Sequence, residues 1–224
     1  MSRPTTPVPE LPAARPHPAT LPAVILAGVI VTLLVPLTFP SGGGSTSADL
    51  TLENGIHSAL DAHTWVYRVL VFPSNSPVVL TLLAVSAAWL AYRRLWWQAG
   101  FALIAPELVV AVNTYALKPF WERKLEHYLA YPSGHTVQLV AVVTAFALVT
   151  ESARVHRATV VVMVVVLPAV MIGMVGLGYH HPTDVVGGTA AAVALVTALY
   201  LPCRYLAATT AGRAANTATP PPPE

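Results

Sequence analysis

The sequence predicts an all-α protein, a polytopic six-transmembrane-helix bundle with an extracytoplasmic interfacial helix. Three observations predict it. Of the 224 residues, 55% are hydrophobic and only 10% are charged, against roughly 25% charged residues in ordinary soluble domains. Six apolar segments approach the roughly 20 residues that a helix needs to cross the hydrocarbon core of a bilayer. Arginines fall at alternate segment ends, as the charge bias of short cytoplasmic loops requires.

The elements follow in chain order. Pro4, Pro7, Pro9, Pro12, Pro16 and Pro18 stand among small polar residues, so residues 1–20 read as a disordered tail that buries too little apolar surface to fold. Leu21 to Phe39 is the first span, a retained helix rather than a cleaved signal, because further apolar runs follow it. Leu52 to Phe72 interleaves His57, Asp61, His63 and Arg68 with apolar positions, the pattern of a helix lying at the interface without crossing it. The remaining spans are Pro77 to Tyr92, Trp97 to Leu117, Thr136 to Thr150, Thr159 to Leu177 and Val185 to Leu201. Residues 21–205 thus form one membrane domain, and residues 206–224, ending in Pro220 to Pro223, form a second disordered tail.

Charge orients the bundle. Arg3, Arg15, Arg93, Arg94, Arg154, Arg157, Arg204 and Arg213 lie at one set of ends, which places both termini in the cytoplasm. The loops of the opposite, extracytoplasmic face carry Asp49, Glu53, Asp61 and Arg68, then Lys118, Glu122, Arg123, Lys124 and Glu126, then only Asp184. The formal net charge is +2 and no Lys/Arg cluster is present, which argues against a nucleic-acid partner. Cys203 stands alone, so neither an internal disulfide nor a cysteine metal site can form.

Polar residues converge on that extracytoplasmic face. The third span ends near Lys118 and Arg123, the fourth begins after Pro132-Ser133-Gly134-His135, and the sixth begins after His180-His181-Pro182-Thr183-Asp184. These parts suit an anion. Lys118 and Arg123 can neutralise phosphate oxygens, while Ser133, Gly134 and the first amides of the following helix make an anion site reinforced by the helix dipole. His180 and Asp184 are four residues apart, which puts them on one helical face. A carboxylate accepting the Nδ1 proton leaves Nε2 free as a nucleophile. His135 can then protonate a leaving oxygen and later activate water. This chemistry calls for no metal and no cofactor. His181, three residues from Asp184, is the rival nucleophile.

The three blocks resemble those of the type 2 phosphatidic acid phosphatase superfamily over roughly Asn113 to Gly188, and the six-helix layout resembles it too. The resemblance implies metal-free hydrolysis through a phosphohistidine. In that reading His180 is the nucleophile backed by Asp184, His135 is the acid, Lys118 and Arg123 bind phosphate, and Ser133 and Gly134 line the anion turn. The expected partners are membrane lipids and a lipid phosphate substrate: an isoprenyl phosphate or diphosphate, or a phosphatidate-like lipid. Two departures stand out. The family's first block usually has its arginine where this chain has Leu125, followed by proline where it has Glu126, and its third block usually has Ser-Arg at Gly173-Met174. A catalytically silent member of the fold and an anion-binding or transport protein are the alternatives, and a metal site of His127, His135, His180 and His181 is a further one that lacks regular ligand spacing.

Other residues have plainer expectations. His57, His63 and His127 read as surface histidines, and Gly187 and Gly188 as close-packing positions of a membrane helix. Phe120, Trp121, Tyr128 and Tyr131 read as interfacial anchors. Glu107, in the middle of the third span, either caps a polar cavity with Asn113 or is neutral.

Overall fold

In hydrocarbon every backbone polar group must find its partner within the protein, so long apolar runs fold as helices. The computed structural model describes residues 20–150 and 152–217. Its elements are α1 (Thr20–Leu34), α2 (Ser47–Leu60), α3 (Trp65–Val71), α4 (Ser76–Tyr92), α5 (Trp96–Val112), α6 (Lys118–Trp121), a hairpin of β1 (Lys124–Leu125) and β2 (Tyr128–Leu129), α7 (Gly134–Val149), α8 (Ala153–Gly176) and α9 (Pro182–Thr217).

Among the described residues five helical stretches are long and apolar enough to cross a membrane: Thr20–Thr38, Trp65–Tyr92, Trp96–Trp121, Ala153–Gly176 and Pro182–Thr210. Gly134–Val149 is apolar but shorter. The expected interfacial helix over Leu52 to Phe72 is corrected. It breaks at Asp61–His63, where the Asp61 carboxylate takes up the Tyr67 hydroxyl and faces His57 Nδ1, both at 2.9 Å. Only α2 stays apart, while α3 continues into the second membrane stretch. Helix α9 runs on through residues 206–217, part of the expected C-terminal tail; residues 1–19 and 218–224 lie outside the described residues.

α9 is the central helix, with half of its apolar window buried against 17–33% for the other candidate spans. It packs on α1, α5 and α7. Lipid tails are as apolar as leucine, so such contacts depend on close approach rather than on escape from water. Glycine provides it. A Cβ at Gly187 would lie 2.1 Å from the Tyr131 ring, and one at Gly188 would lie 2.9 Å from the Ser133 carbonyl, so these two positions bring α9 against the start of α7. Leu21, Leu90, Ala99, Val149 and Tyr200 share one core cluster.

Two expectations about polar and aromatic residues change. Tyr131 is no interfacial anchor: it is fully buried, and its hydroxyl donates to the Thr32 carbonyl at 2.7 Å. Asn113 is buried while Glu107 is exposed on the outer side of α5, so the two do not share a cavity.

Candidate active site

Lys118 reaches the site through an irregular helix end. Pro119 has no N–H to give the helical ladder, and the chain widens into a π-turn over Asn113–Leu117 before α6. The Lys118 ammonium donates to the Leu129 carbonyl on the hairpin, and its Cε would be 3.9 Å from a Cβ at Gly134. An ammonium has three donors, so Lys118 keeps capacity for an anion. The Glu126-His127 turn carries no Asn-Gly signal, which is why the hairpin was not legible in the sequence.

Ser133 caps α7: its buried hydroxyl accepts from the Thr136 amide at 3.4 Å and from the Thr136 hydroxyl at 3.1 Å. The side chain expected to line the anion turn is therefore turned inward. The amides of Gly134 and His135, in the first turn of α7, have no acceptor within that helix, and the Lys118 side chain lies beside Gly134. The Ser133 amide donates to the Asp184 carbonyl at 3.0 Å, tying the start of α7 to the start of α9.

Gly178, at φ 68°, closes α8, with the Gly178 amide on the Val175 carbonyl and the Tyr179 amide on the Met174 carbonyl. This paired helix-ending motif delivers Tyr179, His180 and His181 to the site. His180 is 5% exposed. Its ring centre is 6.2 Å from that of His135 and 6.0 Å from that of Tyr128. His180 Nδ1 faces Asp184 Oδ2 at 3.6 Å and has no closer partner, a spacing that a small ring rotation would convert to a hydrogen bond. His135 stacks on Tyr179 at 6.4 Å. His181 turns away: its Nδ1 meets Glu53 Oε1 at 2.6 Å and Ser45 Oγ at 3.1 Å. The structure thus brings His180, not His181, beside His135.

Arg123 departs from its expected role. A guanidinium has five N–H donors, and here all five are occupied: Nε by the Gly43 carbonyl (3.0 Å), Nη1 by Thr183 Oγ1 (2.7 Å) and Asp184 Oδ1 (2.8 Å), Nη2 by the Gly44 carbonyl (2.8 Å) and Asp49 Oδ2 (3.1 Å). The side chain is wholly buried and its cation lies 3.8 Å from the centre of the Phe39 ring. It has no donor left for a phosphate. At the place of the family's third-block arginine, Met174 is fully buried, with its sulfur against the hydroxyls of Ser133 and Thr136.

Sequence reasoning passed over Asp49 and Glu53 as ordinary loop charges. Both project from α2, one helical turn apart. Asp49 closes a capping box with Thr46, a pattern readable as Thr46-x-x-Asp49, but its reach to Arg123 and Thr183 was not. Burial would push the Asp49 carboxyl up, yet hydrogen bonds from the Thr46 amide, the Thr183 amide and hydroxyl, and Arg123 outweigh it and hold the group below its ordinary value. Gly43, at φ 74°, occupies the left-handed region that favours glycine and helps the loop wrap Arg123.

Residues 97–206 match the family model of the PAP2 superfamily, a stretch that holds Lys118, Arg123, His135, His180 and Asp184 but not Asp49 or Glu53. The fold is similar to the crystal structure of the first transmembrane PAP2 type phosphatidylglycerolphosphate phosphatase from Bacillus subtilis, with a TM-score of 0.56 and 20% identity, covering 83% of this chain and 96% of that chain. No curated protein matches the sequence.

Proposed function

The chain belongs to the PAP2 superfamily, and from that premise we propose that it is an integral membrane hydrolase that removes phosphate from a lipid through a phosphohistidine. The observation that carries the reading is the position of His180 between Asp184 and His135, with Lys118 beside Gly134 at the first turn of α7. His180 Nε2 attacks phosphorus as the bond to the leaving oxygen breaks, and His135 gives that oxygen its proton. In the second half His135 takes a proton from water, the resulting hydroxide attacks phosphorus, and the P–N bond breaks to release inorganic phosphate. Asp184 orients the ring and balances the charge that forms on it. Lys118 and the amides of Gly134 and His135 stabilise the phosphoryl oxygens, interactions that strengthen as charge develops in a site shielded from water.

The substrate class is a lipid phosphate: an isoprenyl phosphate or diphosphate, phosphatidate or phosphatidylglycerol phosphate. An apolar groove of about 490 Å³ between α1, α8 and α9 supports this reading. Val185 and Val186, which follow Asp184, line it, and it shares Thr189 and Val193 with a second groove of about 620 Å³. A hydrocarbon tail fits there while the phosphate sits at the bundle end. The site faces outward and both termini face the cytoplasm, as the arginine-bearing ends imply.

The test is phosphate release by the purified protein in detergent from a panel of these lipids, with a chelator present, together with acid-labile phosphohistidine on the wild type. Release that survives chelation supports the reading. A protein that binds phosphate but turns over none of the lipids would favour the silent or transport alternative.

A further inference from the structure

We propose that Asp49, on α2 outside the region matched to the family, is a positioning residue of the catalytic centre, acting on His180 through Arg123 and Asp184. The proposal rests on the phosphatase reading above. The contacts form a chain: Asp49 Oδ2 to Arg123 Nη2 at 3.1 Å, Arg123 Nη1 to Asp184 Oδ1 at 2.8 Å, and Asp184 Oδ2 to His180 Nδ1 at 3.6 Å. Asp49, Arg123 and Asp184 have wholly buried side chains, so their charges act on one another with little solvent screening.

Charge gives the chain its meaning. A guanidinium bonded to Asp184 alone would cancel that carboxylate, and the His180 ring would face a neutral pair. Asp49 supplies the second negative charge, so the triad carries a net charge of −1 and Asp184 keeps a negative field toward the imidazole. That field favours the positive charge that His180 acquires on attacking phosphorus. Asp49 also fixes direction: its Oδ1 takes the Thr183 amide and its Oδ2 the Thr183 hydroxyl, each at 2.9 Å, which holds the first turn of α9 and with it Asp184. Thr183 in turn accepts from Arg123. Among the described residues the other charged or titratable groups at this end of the bundle include His135 on α7, Lys118 on α6, Tyr128 on the hairpin, Tyr179 beside it, and His181 with its α2 partner Glu53. None of these is a partner of Asp49.

The experiment compares wild type, Asp49→Asn, Asp184→Asn and the double variant as full-length protein in detergent. It uses a soluble aryl phosphate and measures kcat, KM, the pH–rate profile and thermal midpoint. Asp49→Asn is expected to lower kcat by about tenfold to a hundredfold, by analogy with the loss of a partner that orients a metal-binding histidine, with KM little changed. The acid limb moves to lower pH, because Arg123 is no longer balanced and the positive ring is disfavoured. In the Asp184→Asn background the second substitution has no further effect on kcat. An unchanged kcat, an unmoved acid limb or an additive loss in the double variant overturns the proposal. If Asp49→Asn does not fold, Thr183→Val decides: it loosens Asp49 and Arg123 without removing a charge, so kcat falls while the acid limb stays, and wild-type kcat overturns the proposal. A wild type that hydrolyses no phosphate ester overturns the phosphatase reading and this proposal together, whereas an active wild type with an unaffected Asp49→Asn overturns this proposal alone.

Discussion

Arg123 donates to Asp184 at 2.8 Å with both side chains wholly buried. A cation enclosed in this way serves its carboxylate neighbours rather than an incoming phosphate. Removing one partner of a buried pair leaves the other uncompensated, which costs about 3–5 kcal/mol. Arg123→Ala is therefore expected to lower the thermal midpoint sharply and to reduce the yield of folded protein. Lys118→Ala should leave the midpoint near that of wild type and weaken turnover instead. Thermal unfolding of the two variants side by side checks this, and an Arg123→Ala protein of wild-type stability would contradict it.

The two histidines should fail differently. His180→Ala removes the proposed nucleophile, so turnover is expected to vanish for every substrate and no phosphohistidine to be trapped. His135→Ala removes only proton transfer, a contribution of typically ~10²–10⁴-fold that matters less as the leaving group becomes more acidic. It should keep partial activity on an activated aryl phosphate and lose most on a lipid phosphate. Full turnover in His180→Ala, or label trapped on His181, would sink the assignment.

Asp49 predicts an acid dependence of stability. Its folded-state value is depressed below the ordinary 3.8, so the stability it contributes is fully present above that ordinary value and is lost as pH falls through the depressed one. The midpoint difference between wild type and Asp49→Asn should be constant from neutral pH down to about 4 and should shrink below that. A difference that grew on acidification would show the sign to be wrong.

The groove makes a prediction that separates tail from head. Thr189 lines both apolar grooves, and Thr189→Trp fills the space between α1, α8 and α9. Hydrolysis of a long-tailed lipid phosphate should fall through a raised KM, while hydrolysis of a soluble aryl phosphate is unchanged. Equal losses on both would mean that the groove holds no substrate.

Orientation is tested by labelling. Glu126 is exposed at the hairpin turn, and Glu126→Cys, made with Cys203→Ser because Cys203 is itself exposed, should react with a membrane-impermeant thiol reagent in intact cells. Reaction only after permeabilisation would invert the bundle.

By itself the sequence determined the helical membrane bundle and picked out the residues from which the proposed site is built. Hydrophobic runs and the residues at their ends are local properties of the chain: a helix start after Ser133-Gly134 and a carboxylate four residues beyond His180 can be read without knowing what lies opposite. It also favoured His180 over His181, by spacing from Asp184. Only the tertiary structure decided what Arg123 does. Its partners come from Gly43, Gly44, Asp49, Thr183 and Asp184, up to 80 residues away, and no local pattern distinguishes an arginine that meets phosphate from one whose five donors are taken up inside. The same holds for Asp49, which reads as a loop charge until α2 folds over the end of the bundle. Burial converts that charge, because a carboxylate removed from water persists only with donors around it, and beyond the neighbouring Thr46 amide those donors come from Arg123 and Thr183, 74 and 134 residues away.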